Sequence, residues 1–120
     1  MVISGDHQEN KESKNMTESQ YQSKIIRKLH EIFPGCEVIK TDAQLRQGFP
    51  DLLILWNEYW ATLEVKTSPQ AHIQPNQDHY VQRLNDMSFA AYIFPENEKE
   101  VLGALQQAFK SPRRTRISQS

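Results

Sequence analysis

Cysteine is almost absent from this chain: Cys36 is the single one among 120 residues. One cysteine closes no intramolecular disulfide and builds no multi-cysteine zinc site, so a reducing compartment is expected. No apolar run approaches the roughly 18 residues of a membrane span, and no apolar signal-peptide segment follows Met1. The reading is a protein without membrane attachment, cytoplasmic, with a length that fits one domain. A Gly-rich phosphate loop, a Ser-His-Asp pattern and a dinucleotide fingerprint are all missing. His30, His72 and His79 lack metal-ligand spacing and read as surface or loop residues. An excess of one charge is missing too, since the net charge is −1.

What is present is Gly48-Phe49-Pro50-Asp51 leading into the apolar run Leu52-Leu53-Ile54-Leu55, with Glu64-Val65-Lys66 further on. Leu52–Trp56 and Tyr59–Val65 are rich in Trp, Tyr, Leu, Ile and Val and read as two strands. Only Asn57 and Glu58 lie between them. A turn centred on those two sets Asp51 opposite Glu64, with Cβ atoms roughly 5 Å apart. Lys66 is two residues beyond Glu64 and shares its face. Asn-Glu is a poorer two-residue turn than Asn-Gly, and an odd-length loop would slip the pairing by one. Burying two carboxylates and an ammonium is costly. A bound cation is the commonest reason to hold two carboxylates together, because it offsets their repulsion.

Pro50-Asp51 and Glu64-Val65-Lys66 resemble the signature of the PD-(D/E)xK nuclease superfamily, spacing included. The nearest sub-pattern is the VRR-NUC-like and Holliday-junction-resolvase-like group of small, often phage-encoded nucleases. Those nucleases also carry a G-x-P-D-apolar run, a Gln on the following helix and a Glu on the first helix. The resemblance covers about residues 17–109. It implies a magnesium- or manganese-dependent DNA nuclease, working inside a cell, a phage-infected host included, and commonly a homodimer. Asp51 and Glu64 would hold the metal, with the Val65 carbonyl as third ligand and Glu18 at a second metal or its waters. Lys66 would position the attacking water or stabilise transition-state charge, and Gln77 would orient the phosphate or Lys66.

The rest of the chain is compatible with that fold. Residues 1–15 have little apolar content beyond Met1, Val2 and Ile3 and read as a disordered tail. Residues 16–109 form the nuclease domain, and 110–120 a basic tail. Thr17 caps a helix reaching about Phe33, where Pro34-Gly35 stops it. Its apolar stripe is Ile25, Ile26, Leu29, Ile32 and Phe33; Glu18 and Gln22 share a face with Ile25, Ile26, Leu29 and Phe33. Glu37–Thr41 is a strand and Asp42–Phe49 a loop. After the hairpin, Thr67–Gln74 is a loop, and Pro75 opens a helix to about Met87. Ser88–Phe94 is a strand, and Asn97 with Glu100 resembles a capping box for a helix to about Phe109. The order is αβββαβα, an α/β restriction-endonuclease-like core with a mixed central sheet, its central hairpin covered on both faces.

Several residues carry two readings. Glu18 is either a first-turn acid favourable to the helix dipole or a site carboxylate. Gln77 is either an ordinary helix-start amide or an orienting group. Trp56, Tyr59 and Trp60 either stack on bases or pair across the hairpin. Thr67 and Ser68 are either loop residues or phosphate donors. Three functions compete: a structure-specific or site-specific DNA endonuclease, a processing exonuclease or nicking enzyme, and a catalytically silent nucleic-acid-binding module. Retention of the charged Asp51, Glu64 and Lys66 argues against the last.

The charge is unevenly spread. Residues 110–120 carry Lys110, Arg113, Arg114 and Arg116 for +4, residues 1–15 sum to −1, and residues 16–109 to −4. An acidic core suits a protein that holds a divalent cation, and the tail reads as a phosphate-seeking arm. Deleting residues 111–120 is expected to weaken DNA binding. If Arg113, Arg114 and Arg116 each neutralise one phosphate, the slope of log K against log salt falls by roughly 2.7. Binding titrations at several salt concentrations measure this; an unchanged slope makes the tail a solvated end.

Overall fold

Thr17 starts the first helix by a reciprocal contact. Its hydroxyl accepts from the Gln20 N–H at 3.1 Å, and its own N–H donates to Gln20 Oε1 at 2.9 Å. Two orphan donors of the first turn are thereby satisfied. The computed structural model describes residues 15–42, 44 and 46–111. The elements are α1 (Glu18–Ile32), β1 (Glu37–Lys40), β2 (Leu52–Trp56), β3 (Tyr59–Val65), α2 (Gln77–Met87), β4 (Phe89–Ile93) and α3 (Glu98–Ala108). A 3₁₀ turn, Pro95–Asn97, precedes α3. Arg113, Arg114 and Arg116 lie outside the described residues.

The fold is mixed α/β, with a four-stranded sheet in the order β1-β2-β3-β4. β1 and β2 pair antiparallel, as do β2 and β3, while β3 and β4 run parallel. The β2–β3 register runs from Leu52 opposite Leu63 to Trp56 opposite Tyr59. The turn is therefore Asn57-Glu58, and Asn57 takes the left-handed backbone the tight reversal needs, with φ 56°. A parallel neighbour cannot be reached by a tight turn, so α2 forms the crossover from β3 to β4.

Side chains of alternating parity point to opposite faces of the sheet. Leu52, Ile54, Ala61, Leu63, Val65 and Ile93 meet α1 and α3 in the main core. Trp60, Ala90 and Tyr92 meet Val81 and Leu84 of α2 in a smaller one. Coverage of this second face is incomplete, contrary to the expectation for the hairpin: Ile39 is 45% and Leu55 38% exposed. The physical reason is supply. One helix of 11 residues covers the β3–β4 half, and no described helix covers the β1–β2 half.

Three local readings are corrected. The buried stripe of α1 is Tyr21, Ile25 and Leu29, and Ile26 is only half-buried. Tyr21, outside the expected apolar stripe, is fully buried, and its hydroxyl donates to Glu98. Pro75 does not open α2; Asn76 is the cap residue in left-handed backbone, and the helix begins at Gln77. Asn97 makes no capping bond to α3. Its side chain turns back, accepting from Phe94 N–H at 2.9 Å and donating to the Tyr92 carbonyl at 3.1 Å.

Trp56 and Tyr59 serve the fold at the turn end of the hairpin. Trp56 Nε1 donates to the Pro34 carbonyl at 3.0 Å, and its ring lies 5.0 Å from Phe33. Tyr59 stacks on Phe109 at 5.4 Å. A buried polar link joins α1 to α3: Tyr21 Oη donates to Glu98 Oε1 at 2.9 Å, and Lys28 pairs with the other oxygen of Glu98. Tyr21 is fully buried, so Tyr21→Phe leaves the Glu98 oxygen without its phenol donor. The expected cost is about 1.5–3 kcal/mol, read by urea denaturation; a change near zero would show that Lys28 alone satisfies Glu98.

Candidate active site at the open end of the hairpin

Asp51 stands one step beyond the Leu52–Leu63 pair, so the register places it opposite Glu64. Thr41 holds this end of the chain, its N–H on the Asp51 carbonyl at 2.8 Å and its hydroxyl on the Pro50 carbonyl at 2.6 Å. Asp51 Oδ2 accepts from the Val65 N–H across the strands at 2.9 Å. N–H and C=O of one strand residue point the same way, so the Val65 carbonyl is also turned toward the Asp51 side.

Glu64 is 2% and Lys66 7% exposed. Glu64 Oε2 accepts from Gln77 Nε2 at 3.0 Å and lies 3.6 Å from Lys66 Nζ. Glu64 Oε1 is buried with no hydrogen-bond partner. Lys66 Nζ donates to the His72 carbonyl at 2.9 Å, and its backbone N–H to the Ile93 carbonyl at 2.9 Å. Gln77 is held in turn, its Oε1 accepting from the Gln74 N–H at 2.8 Å. One amide therefore ties the loop after β3 to a carboxylate inside the sheet.

The electrostatics follow from burial. Desolvation is the main cause that pushes Glu64 up to about 8; the charge of Asp51 adds to it, and Lys66 opposes it. Asp51 is raised as well, by burial first, with the Val65 N–H, Glu64 and Lys66 pulling the other way. Each of the two carboxyls shifts the other. Glu18 is raised by desolvation and then by the charge of Asp51, with Lys66 opposing. That brings Glu18, from the first turn of α1, within electrostatic range of the hairpin site, although its residue is largely exposed.

The expected residues thus divide. Asp51, Glu64, Lys66 and Gln77 meet directly, and Glu18 faces them at longer range. Among the described residues no group of three His, Cys, Asp or Glu side chains is gathered closely enough to hold a metal. The donor set on offer is two carboxylates and the Val65 carbonyl. It is all oxygen, includes a buried carboxylate oxygen with no donor, and fits a hard cation such as Mg²⁺ or Mn²⁺. Among the described residues no helix is long and apolar enough to cross a membrane.

Sequence reasoning missed the His72 carbonyl and Tyr92. The Tyr92 hydroxyl bonds Asp78, and the parallel register sets Tyr92 beside Glu64. Its phenol is pushed up by burial, then by Asp78, with a smaller contribution from Glu64. Period-two alternation in Phe89–Ile93 carries Tyr92's face, but not which strand it adjoins. No family model, no curated protein and no solved structure matches the chain.

The raised Glu64 carboxyl makes stability depend on pH. Its folded value lies above the ordinary carboxylate value, so the folded protein binds more protons than the unfolded one between the two. The contribution of this group to metal-free stability is fully present below about pH 4.5 and is lost as pH rises toward about 8, with a slope of at most about 1.4 kcal/mol per pH unit. Glu64→Gln should flatten the fall. Denaturation in EDTA across that range measures it; equal slopes in both proteins would reject the assignment.

Proposed function

We propose that the chain is a metal-dependent DNA nuclease of the PD-(D/E)xK type, on a restriction-endonuclease-like αβββαβα core. The observation that carries this reading is the meeting of Asp51 with buried Glu64, whose Oε1 has no donor, beside Lys66. A carboxylate buried next to another raises the free energy of the folded chain. A silent binding module has no use for that cost, whereas a phosphodiesterase does.

Asp51, Glu64 and the Val65 carbonyl would hold Mg²⁺ or Mn²⁺. Such an ion supplies Lewis acidity toward a phosphoryl oxygen and lowers the pKa of a bound water. The remaining work belongs to the chain. The Val65 N–H fixes one oxygen of Asp51 and so orients the carboxylate. Gln77 fixes Glu64 Oε2 and leaves Oε1 for the cation. Lys66 places a cation where negative charge builds on the phosphoryl oxygens during displacement. Glu18 adds a carboxylate at the rim, where it can order water or a second cation. Buried surroundings strengthen the interactions of Glu64 and Lys66. Recognition of DNA would draw on the core surface and the basic tail, and two strands would be cut by two copies of the chain.

The test is cleavage of plasmid, four-way junction and single-stranded DNA by the purified protein. Activity is expected with Mg²⁺ or Mn²⁺ and none in excess EDTA. Asp51→Ala, Glu64→Ala and Lys66→Ala should each abolish cleavage in a folded protein. Glu18→Gln and Gln77→Ala should slow single-turnover cleavage about tenfold, or about 1.4 kcal/mol of barrier. A wild-type rate in Asp51→Ala would sink the site, and robust cleavage in EDTA would sink the metal.

A further inference from the structure

The geometry points to Gly48 and Asn76 as positioning residues: their backbone contact sets the distance between the Asp51 loop and the helix that delivers Gln77 to Glu64. The inference deepens the nuclease reading and rests on it only where cleavage is the readout.

Both residues adopt left-handed backbone, Gly48 at φ 87° and Asn76 at φ 76°. A Cβ built on Gly48 would stand 2.7 Å from Asn76 Cβ, 2.9 Å from its carbonyl carbon and 3.1 Å from its carbonyl oxygen. Two of those three atoms are backbone and cannot swing aside. The Asn76 carbonyl is also the first acceptor of α2, taking the Tyr80 N–H at 3.0 Å. Pressure at that point falls on the first turn of the helix.

What lies on each side of the contact gives it a purpose. Three residues after Gly48 comes Asp51, reached through Pro50, which is fully buried. One residue after Asn76 comes Gln77, bonded to Glu64 Oε2 at 3.0 Å. The amide has little slack, because a hydrogen bond weakens quickly beyond about 3.2 Å. Phe49 adds a second contact, its ring 5.6 Å from Tyr80 one turn along α2. Asn is a favoured cap residue, yet the Asn76 side chain makes no capping bond to α2. Its place is explained by the turn and the close approach.

The simpler account is that Gly48 serves only its left-handed φ. Gly48→Asn separates the two, because Asn tolerates that backbone better than other residues but still carries a Cβ. If φ alone matters, Gly48→Asn behaves like wild type. If spacing matters, the Gln77 side-chain amide leaves Glu64, and its resonance in a ¹⁵N spectrum shifts toward that of a free amide. Mg²⁺-dependent single-turnover cleavage of plasmid DNA should then fall about tenfold, with no further fall when Gly48→Asn is added to Gln77→Ala. Asn76→Gly removes the nearest of the three clashing atoms and accepts positive φ, so Gly48→Asn/Asn76→Gly should bring the amide resonance part of the way back toward wild type. An unshifted Gln77 resonance in Gly48→Asn, multiplying rate losses, or a double variant whose resonance lies no nearer wild type than that of Gly48→Asn would each overturn the inference. A wild-type protein that cleaves nothing would overturn the nuclease reading, while the amide resonance would still decide the spacing.

Discussion

A two-residue turn governs everything at the other end of this hairpin. Asn57-Glu58 admits one pairing of β2 with β3, and that pairing alone sets Asp51 against Glu64. A slip of one residue would turn one strand over relative to the other and carry the carboxylates to opposite faces of the sheet. The buried Leu52, Ile54, Ala61 and Leu63 oppose such a slip, since it would trade them for half-exposed Leu53 and the exposed Leu55. The core and the site therefore enforce the same register.

That register has a cost that the surroundings partly relieve. Lys66 offsets the paired negative charge, the Val65 N–H satisfies one oxygen of Asp51, and Gln77 satisfies one of Glu64. None of them reaches Glu64 Oε1. The hydrogen bonds are thus sufficient to orient the carboxylates and insufficient to neutralise them. This distinguishes the cluster from the Tyr21–Glu98–Lys28 link, where each oxygen of the carboxylate has a donor and the result is a strut between helices.

Much of this was legible in the residues. Strand spacing about Asn57 carried the hairpin register, and Pro34-Gly35 carried the end of α1. The faces holding Glu18 and Gln77 followed from helical periodicity. Other features were hidden for definite reasons. The partner of Lys66 is a backbone carbonyl in an irregular loop, and any residue type supplies one. The pattern Asn97-x-x-Glu100 suits a capping box, but the strand that ends at Ile93 needed the same amide and took it. The apolar character of β2 on both faces does not reveal how much helix is available to cover it. Gly48 announced a turn by its type; that Asn76 would come to lie against it is a property of the fold alone.

The unequal size of the two cores has a consequence for how the site is assembled. α1 and α3 are anchored by a large set of buried side chains, whereas α2 rests chiefly on Val81, Leu84 and Ala90. Elements with little buried apolar area open at lower free energy than the whole domain unfolds. The carboxylates ride on the sheet, and the amide that orients one of them rides on the helix with the smaller core. The orientation of Glu64 therefore depends on the packing of α2 as well as on the pairing of the strands.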